Sequence, residues 1–524
     1  MNSMNEIDDA TVVRDPRKRR LILIAMCVAL VAVVASVSGL NVAQQNLALD
    51  LGVSQNMLLW IINGYTLVLA ALLLPIGAIG DKWGRKPVLL FGLGIFAAAN
   101  LVASMATSGG VMLLARLVAG LGAAMIMPVT LSVITSSFPK EERGSAVGVW
   151  AGFAGAGGIL GLFFSSAMVD WFTWPWLFAM PIVLCVIAFA LAMISVDNSR
   201  EVHAQSFDVI GGILSAVAIA GLVLAIHEGP EHGWTANLTL LGIGAGSLCG
   251  VAFVAWELRQ EHPLLDVRVF RNRSLSVGAL NLMITFAVMF GLFLVLVQYL
   301  QAVLEYSALR SATSLLPMAA LMMPLSNLAP KIVSKVGTRI TLILGTSLLA
   351  SGLVVMALLS SVDGGYLSVL PGLLLIGAGI GLAMTPSTIA ITGSLPTEKQ
   401  GVASALNDTV RELGGAIGVA LLGSALSSGY RTNIAAVTGA LPAPLKRAVE
   451  DGIGSALAVA PRLGGQTNTV LVAARQAFVD GWHTSMWIGA GLVGVALAVV
   501  VFRGPQDARA IADDIQSDDL LVAA

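Results

Sequence analysis

Apolar runs of about twenty residues recur fourteen times along these 524 residues. Each run is long enough to cross the roughly 30 Å hydrocarbon layer of a bilayer as a helix. A spanning segment must satisfy its backbone groups internally, and none of the runs shows the period-two alternation of a membrane β-barrel. An all-α integral membrane protein is therefore expected. Its first span is predicted over 21–43, its seventh and eighth over 209–227 and 238–256, and its last two over 400–424 and 482–502. Charged residues make up only 11% and hydrophobic ones 57%, against about 25% charged in a typical soluble domain. Such a chain cannot cover a water-facing surface. A net charge of −1 offers no basic field for nucleic acid.

The first run follows Arg14, Arg17, Lys18, Arg19 and Arg20 and is too long for a secretion-signal core. With that basic tail inside, 21 Lys and Arg fall in inside segments and six outside, five of these in the long segment 425–481. This bias predicts cytoplasmic termini at both ends. The three cysteines, Cys27, Cys185 and Cys249, each sit in an apolar run. They predict neither a disulfide framework nor a metal site. No phosphate-binding G-x-x-x-x-G-K-[ST] occurs, so a nucleotide is not expected, and no nucleophile constellation points to an enzyme.

Two phrases occur twice. Phe138-Pro139-Lys140-Glu141-Glu142-Arg143-Gly144 returns as Leu395-Pro396-Thr397-Glu398-Lys399-Gln400-Gly401, and Asp81-Lys82-Trp83-Gly84-Arg85-Lys86 returns, weakly, as Ser334-Lys335-Val336-Gly337-Thr338-Arg339. The offsets are 257 and 253 residues. Gly120-Leu121-Gly122 is likewise echoed by Gly379-Ile380-Gly381. All the loop copies fall inside, so the chain reads as two parallel repeats of six helices with two helices inserted between them. The expected organisation is a tail over 1–20, a six-helix bundle over 21–196, the two extra helices with their loops over 197–273, and a second bundle over 274–503. That second bundle contains the external loop 425–481, and a cytoplasmic tail follows over 504–524.

The most specific local signal is the G-x-x-x-D-x-x-G-R-K of Gly77, Asp81, Gly84, Arg85 and Lys86. Its glycines permit close helix approach and a tight turn. Its carboxylate is placed to meet a helix N-terminus or a neighbouring arginine, a contact able to latch two bundles in one access state. On this motif the chain resembles the major facilitator superfamily. With its two extra helices it is similar to the fourteen-helix drug:proton antiporters. Trp60 and Tyr65, Arg116 with Gly120, and Trp174-Pro175-Trp176 agree with that pattern; in the span-5 motif that holds Gly155, Gly157 and Gly161, Gly158 stands where the family usually has a proline. Ser36 departs from the pattern too, standing where the family often carries an acid.

The resemblance implies a major facilitator fold, protons as coupling ion, no cofactor or metal, and a cell inner (cytoplasmic) membrane location. An ion inside a bilayer is costly, so each is a functional candidate. Arg116 is one, as proton-relay residue or as a structural arginine bonded to span-1 carbonyls. Asp408, Arg411 and Glu412 are the others, either coupling groups or an interfacial cluster. Asn41, Asn63, Asn281, Gln298, Gln301 and Asn327 are expected either to line a substrate cavity or to bond helices together. The glycines Gly152, Gly155, Gly157, Gly158 and Gly161 are expected to bare one face of span 5. His227 and His232 are placed in an outside loop. The function expected is secondary active export of drugs or other small amphipathic substrates by alternating access. A dedicated exporter of a metabolite, lipid or siderophore and a non-transporting membrane sensor are the alternatives.

Overall fold

A computed structural model describes residues 12–198, 207–439, 441–464 and 467–505. Arg200 and both chain ends lie outside the described residues. Among the described residues there is no strand, and fourteen helices are long and apolar enough to cross a membrane. We number them α1 (Pro16–Leu51), α2 (Gln55–Trp83), α3 (Arg85–Ser104), α4 (Gly109–Ser137), α5 (Lys140–Trp171), α6 (Ala179–Ser195), α7 (Val209–His232), α8 (Asn237–Glu257), α9 (Arg273–Gln298), α10 (Leu316–Val336), α11 (Thr338–Leu359), α12 (Leu370–Thr392), α13 (Gln400–Thr438) and α14 (Thr467–Arg503).

The duplication is physical. In the first half α1 packs on α4, α5 and α6, α4 on α2 and α3, and α3 on α6; the second half repeats each pair with α9 to α14. The turn glycines correspond as well. Gly84 closes α2 at φ 109° and Gly337 closes α10 at φ 88°, left-handed backbone that favours glycine. Beyond each turn a cation ties the next helix to the last one of its half. Lys86 Nζ donates to the Met193 carbonyl on α6 at 2.7 Å, and Arg339 donates to that of Val501 on α14.

One sequence register needs correction. A Cβ on Gly120 would meet the Tyr65 carbonyl on α2, and one on Gly122 the backbone of Phe96 on α3. The residues that do the same in α12 are Gly377, against the Met318 carbonyl, and Gly379, against Leu349. The true partners of Gly120 and Gly122 are therefore Gly377 and Gly379, not Gly379 and Gly381. This brings the glycines onto the same 257-residue offset as the loop phrase.

The long external connection 425–481 is largely helical. At 39 and 37 residues, α13 and α14 are each over 50 Å long, well beyond the hydrocarbon thickness. They continue as a paired hairpin capped by the short helices Ala443–Asp451 and Ile453–Val459. Gly429 and Gly481 let the two backbones touch. Tyr430 donates to the Val449 carbonyl at 2.9 Å, and Thr438 to Glu450 at 2.7 Å. Ile434, Val449, Ile453, Ala456 and Phe478 give the projection its own buried core.

Candidate functional site

The halves meet along two seams, α2 against α13 and α5 against α10. At the first seam Asp81, in the last turn of α2, is 4% exposed. Its carboxylate accepts from Arg85 Nη2 at 2.8 Å and Nε at 3.2 Å, and also from the backbone amides of Gly401 at 2.9 Å and Val402 at 3.1 Å. Both expected partners, helix N-terminus and arginine, are thus engaged together. The amides at the start of α13 lack intrahelical acceptors and carry the positive end of the helix dipole. A buried carboxylate there satisfies two of them with charge-assisted bonds. The approach requires glycine on both sides, since a Cβ on Gly401 would lie 2.4 Å from the Gly77 carbonyl and one on Gly77 would lie 2.6 Å from that of Gly401.

Between the halves lies a cavity of about 760 Å³. It runs from Met127, Phe286 and Arg411 at mid-depth to Gln44, Gln301 and Ser311 near the helix ends remote from Asp81. Among the polar candidates Asn63, Gln298 and Gln301 line it. Gln301 does so from a single π-helical turn, Tyr299–Val303, that continues α9; such turns widen a helix locally and occur often at functional sites. Asn281 is not a lining residue. It is 1% exposed, donates to Ser387 at 3.0 Å and accepts from Thr346 at 2.9 Å, bonding α9 to α12 and α11. Asn327 is exposed at the α5–α10 seam and accepts from Ser145 at 3.3 Å. The Asn41 side chain lies outside the described residues.

Three ionisable groups of α13 sit at the cavity floor. Arg411 Nη1 donates to Asp408 at 2.9 Å, and Asn407 donates to the same oxygen at 3.2 Å. Asp408 is fully buried and its second oxygen, Oδ2, has no protein partner among the described residues. The Arg411 guanidinium also lies over the ring of Phe286, 4.5 Å from its centroid, a cation–π contact. Glu412, with Arg411, lines the cavity itself. Asp408 and Arg411 lie two to three turns inside α13, surrounded by protein.

Arg116 forms a separate group in the first half and is 1% exposed. It donates to Ser36 on α1 at 3.1 Å and to the Ile61 carbonyl on α2 at 3.4 Å, and it lies 4.2 Å from the centroid of Tyr65. The carbonyl it reaches belongs to α2, whereas α1 supplies the Ser36 hydroxyl. The glycines of α5 also differ from expectation, because they spread around the helix. Gly152 and Gly155 face Met323 and Met322 of α10, Gly157 and Gly161 face Val34 and Ala35 of α1, and Gly158 borders the cavity. In a bundle α5 is enclosed on several sides, and each close neighbour calls for a small residue.

Sequence reasoning missed two features of the cavity. His227 is not in a loop, because α7 continues to His232, and its side chain lines the cavity wall. Phe286, Phe290 and Phe293 form an aromatic strip of the lining, and their i, i+4, i+7 spacing was a readable sign of one helix face.

The Major Facilitator Superfamily model matches residues 24–419. Among curated relatives, the multidrug efflux pump LfrA of Mycolicibacterium smegmatis is 31% identical, over 92% of this chain and 95% of that protein. The multidrug resistance protein Stp of Mycobacterium tuberculosis is 28% identical, over 95% and 94%. The methyl viologen resistance protein SmvA of Salmonella typhimurium is 30% identical, over 91% and 96%. Among solved structures, the human organic anion transporter MFSD10 superposes with a TM-score of 0.58 at 14% identity, covering 93% of this chain and all of that one. A bacterial homologue of the human lysosomal transporter Spinster gives 0.55 at 16% identity, over 94% and all of that chain. With its duplicated six-helix halves, central cavity and matching family model, the chain belongs to the Major Facilitator Superfamily.

Proposed function

We infer that the protein exports small amphipathic cations from the cell in exchange for protons, by alternating access. The observation that carries this reading is that one helix, α13, bears both the latch and the ionisable groups of the cavity. Gly401 and Glu412 are eleven residues apart, about 16 Å along a continuous helix. A change of charge in the cavity can therefore displace the amides that hold Asp81. The relatives named for multidrug and methyl viologen resistance support a cationic, amphipathic substrate.

The lining fits such a substrate. Phe286, Phe290 and Phe293 offer aromatic faces, Glu412 a carboxylate, and Asn63, Gln298 and Gln301 neutral hydrogen-bonding groups. The state described is latched at the Asp81 end, with the cavity reaching the opposite end, the outward-facing arrangement if the basic loops are cytoplasmic. In this reading a proton from outside neutralises Asp408 and frees Arg411 from its partner. Arg411 then competes with the bound cation for Glu412, and the substrate leaves. Breakage of the latch exposes the cavity to the cytoplasm, where the proton departs and a new cation enters. Arg116, held by Ser36, Tyr65 and the Ile61 carbonyl, fixes the packing of α1, α2 and α4 behind the cavity wall. Both termini are cytoplasmic and the location is the inner membrane.

The test is uptake of methyl viologen into inside-out vesicles energised by a pH gradient. The wild type is expected to accumulate the cation and to lose accumulation when the gradient is collapsed. Asp408→Asn is expected to retain binding but to lose the dependence on the gradient. Undiminished gradient-driven accumulation by Asp408→Asn would remove that residue from the coupling step.

A further inference from the structure

The two inserted helices cover one seam only. α7 packs against α2 and α13, and α8 packs chiefly against α7. On the latch side this arrangement leaves a second cavity of about 650 Å³, separate from the central one, a size within the roughly 300–1,000 Å³ of ligand sites. Leu74 of α2, Ile219 of α7, Phe253 of α8 and Leu406 of α13 are among its walls, so they are mostly apolar. Its rim comes from the segment leading into α9, whose short helix Val267–Arg271 places Arg268 and Arg271 at the opening. Both arginines are exposed.

The charged residues that line the groove itself are both arginines. The nearby carboxylates are already engaged: Asp266 accepts from the Arg268 amide, Asp208 from the Gly211 amide and Trp256 Nε1, and Glu257 from the Leu265 amide. Among the described residues, no carboxylate pairs with Arg268 or Arg271. Arg268 spends one nitrogen on the Leu258 carbonyl at 3.0 Å, and the residue is exposed. No acid lines the groove, so the cationic rim disfavours the cations read for the central cavity. An apolar slot beneath paired guanidinium groups at a membrane surface matches a two-part ligand, with a hydrocarbon chain below and a phosphate above.

We propose that this groove binds an anionic phospholipid from the leaflet on the latch side. The headgroup phosphate lies against Arg268 and Arg271, and an acyl chain lies between α2, α7, α8 and α13. Leu74 is seven residues before Asp81, and Leu406 is five after Gly401, so the chain touches both helices of the latch. The rim is tied to the same place, because Lys399 Nζ donates to the Pro263 carbonyl at 3.3 Å. Bound lipid therefore favours the latched state, in which the groove is formed, and the inserted helices give the gate a sensitivity to membrane charge.

The experiment is native mass spectrometry of the full chain in detergent, titrated with phosphatidylglycerol, phosphatidylcholine or glycerol 1-phosphate. Phosphatidylglycerol is expected to bind at least tenfold more tightly than phosphatidylcholine, and glycerol 1-phosphate not to bind in the same range. The double variant Arg268→Gln/Arg271→Gln is expected to erase the preference between the lipids. Val254→Trp, which adds bulk on the exposed α8 side of the groove, is expected to weaken binding of both lipids with the arginines intact. Equal binding of the two lipids by the wild type, or binding indifferent to both variants, overturns the proposal. Tight binding of glycerol 1-phosphate alone overturns it in favour of a simple anion site, and displacement of the lipid by methyl viologen in favour of a second substrate site. The readout is bound lipid rather than flux, so its failure and that of the transport reading are distinguishable.

Discussion

The two seams between the halves are built from equivalent helices, yet they are closed differently. At α2–α13 the close pair is Gly77 and Gly401, with Asp81 spanning the seam. The 253- and 257-residue offsets carry these three to Pro330, Gly144 and Ser334. Gly144 does face Pro330 across α5–α10, at 3.3 Å for an added Cβ, and Gly148 faces the Ser326 carbonyl at 2.7 Å. Ser334, however, turns back to the Lys331 carbonyl of its own helix. Both seams are close-packed, and the first adds a buried carboxylate bonded across it, an interaction that can be made or lost as a unit. A duplicated fold thus supplies its own control: where the halves agree, the residue serves packing, and where they differ, it is a candidate for the switch.

The same comparison isolates the cavity charges. The offsets place Asp408, Arg411 and Glu412 opposite Ala151, Ala154 and Gly155, and Arg116 opposite Leu373. The ions are concentrated on α13 and α4, while their counterparts on α5 and α12 are small or apolar. An ion in a spanning helix is expensive. Its presence in one copy and absence from the other marks a requirement that the fold alone does not impose.

Asp81→Asn should have the largest effect. The substitution keeps the shape but removes the charge from two interhelical amide bonds and the Arg85 pair. Charge-assisted bonds of this kind are worth about 1.5–3 kcal/mol each, so the balance between latched and open states should move more than tenfold. Vesicle transport per unit of protein should fall at least tenfold, whereas Ser334→Ala should leave it within twofold. Similar rates for both variants would erase the distinction between the seams.

Glu412→Gln should follow, with uptake of a divalent cation reduced about tenfold and that of a neutral amphipath reduced less than threefold. The control lies at the equivalent position of the other half, where Gly155→Ala should lower both substrates alike by crowding Met322. A parallel loss of both substrates in Glu412→Gln would recast its role from recognition to packing.

Next come the seam glycines. Gly401→Ala puts a methyl 2.4 Å from the Gly77 carbonyl and 2.7 Å from the Asp81 carboxyl carbon, distances that force the helices apart. Gly144→Ala comes no nearer to any neighbour than 3.3 Å, from Pro330, which a shift of a few tenths of an ångström absorbs. About fivefold loss is expected for the first and under twofold for the second. Cysteine labelling at Lys82 should rise in Gly401→Ala as the latched state loses population.

Much of this asymmetry was legible before any coordinates. Fourteen spans, the duplication and the Asp81 motif are written in local composition and spacing, which a bilayer makes unusually informative by demanding continuous apolar helices. What stayed hidden depends on distance in three dimensions. Asn281 and Asn63 are the same residue type in comparable apolar runs. Only packing decides that one bonds α9 to its neighbours while the other faces the cavity. The pairing of α13 and α14 into a hairpin was not readable because its residues are too polar for a span, and its stability comes from packing the two helices together outside the apolar layer. His227 was misplaced for a related reason: a helix that continues past its apolar stretch gives no hydropathy signal.

The smallest effect should come from a polar contact of the second seam. Ser145 donates to Asn327 at 3.3 Å, between α5 and α10, and both residues are exposed or nearly so. A long neutral hydrogen bond within reach of solvent contributes at most about 0.5–1 kcal/mol. Any contribution it makes to one access state is shared with water in the other. Asn327→Ala should therefore leave transport within twofold and labelling at Lys82 unchanged, although Asn327 and Asp81 both join the two halves. If Asn327→Ala instead reduced transport as much as Gly401→Ala does, the second seam would also hold a gate. The protein would then alternate between two symmetric closures rather than pivot on a packed seam while breaking a charged one.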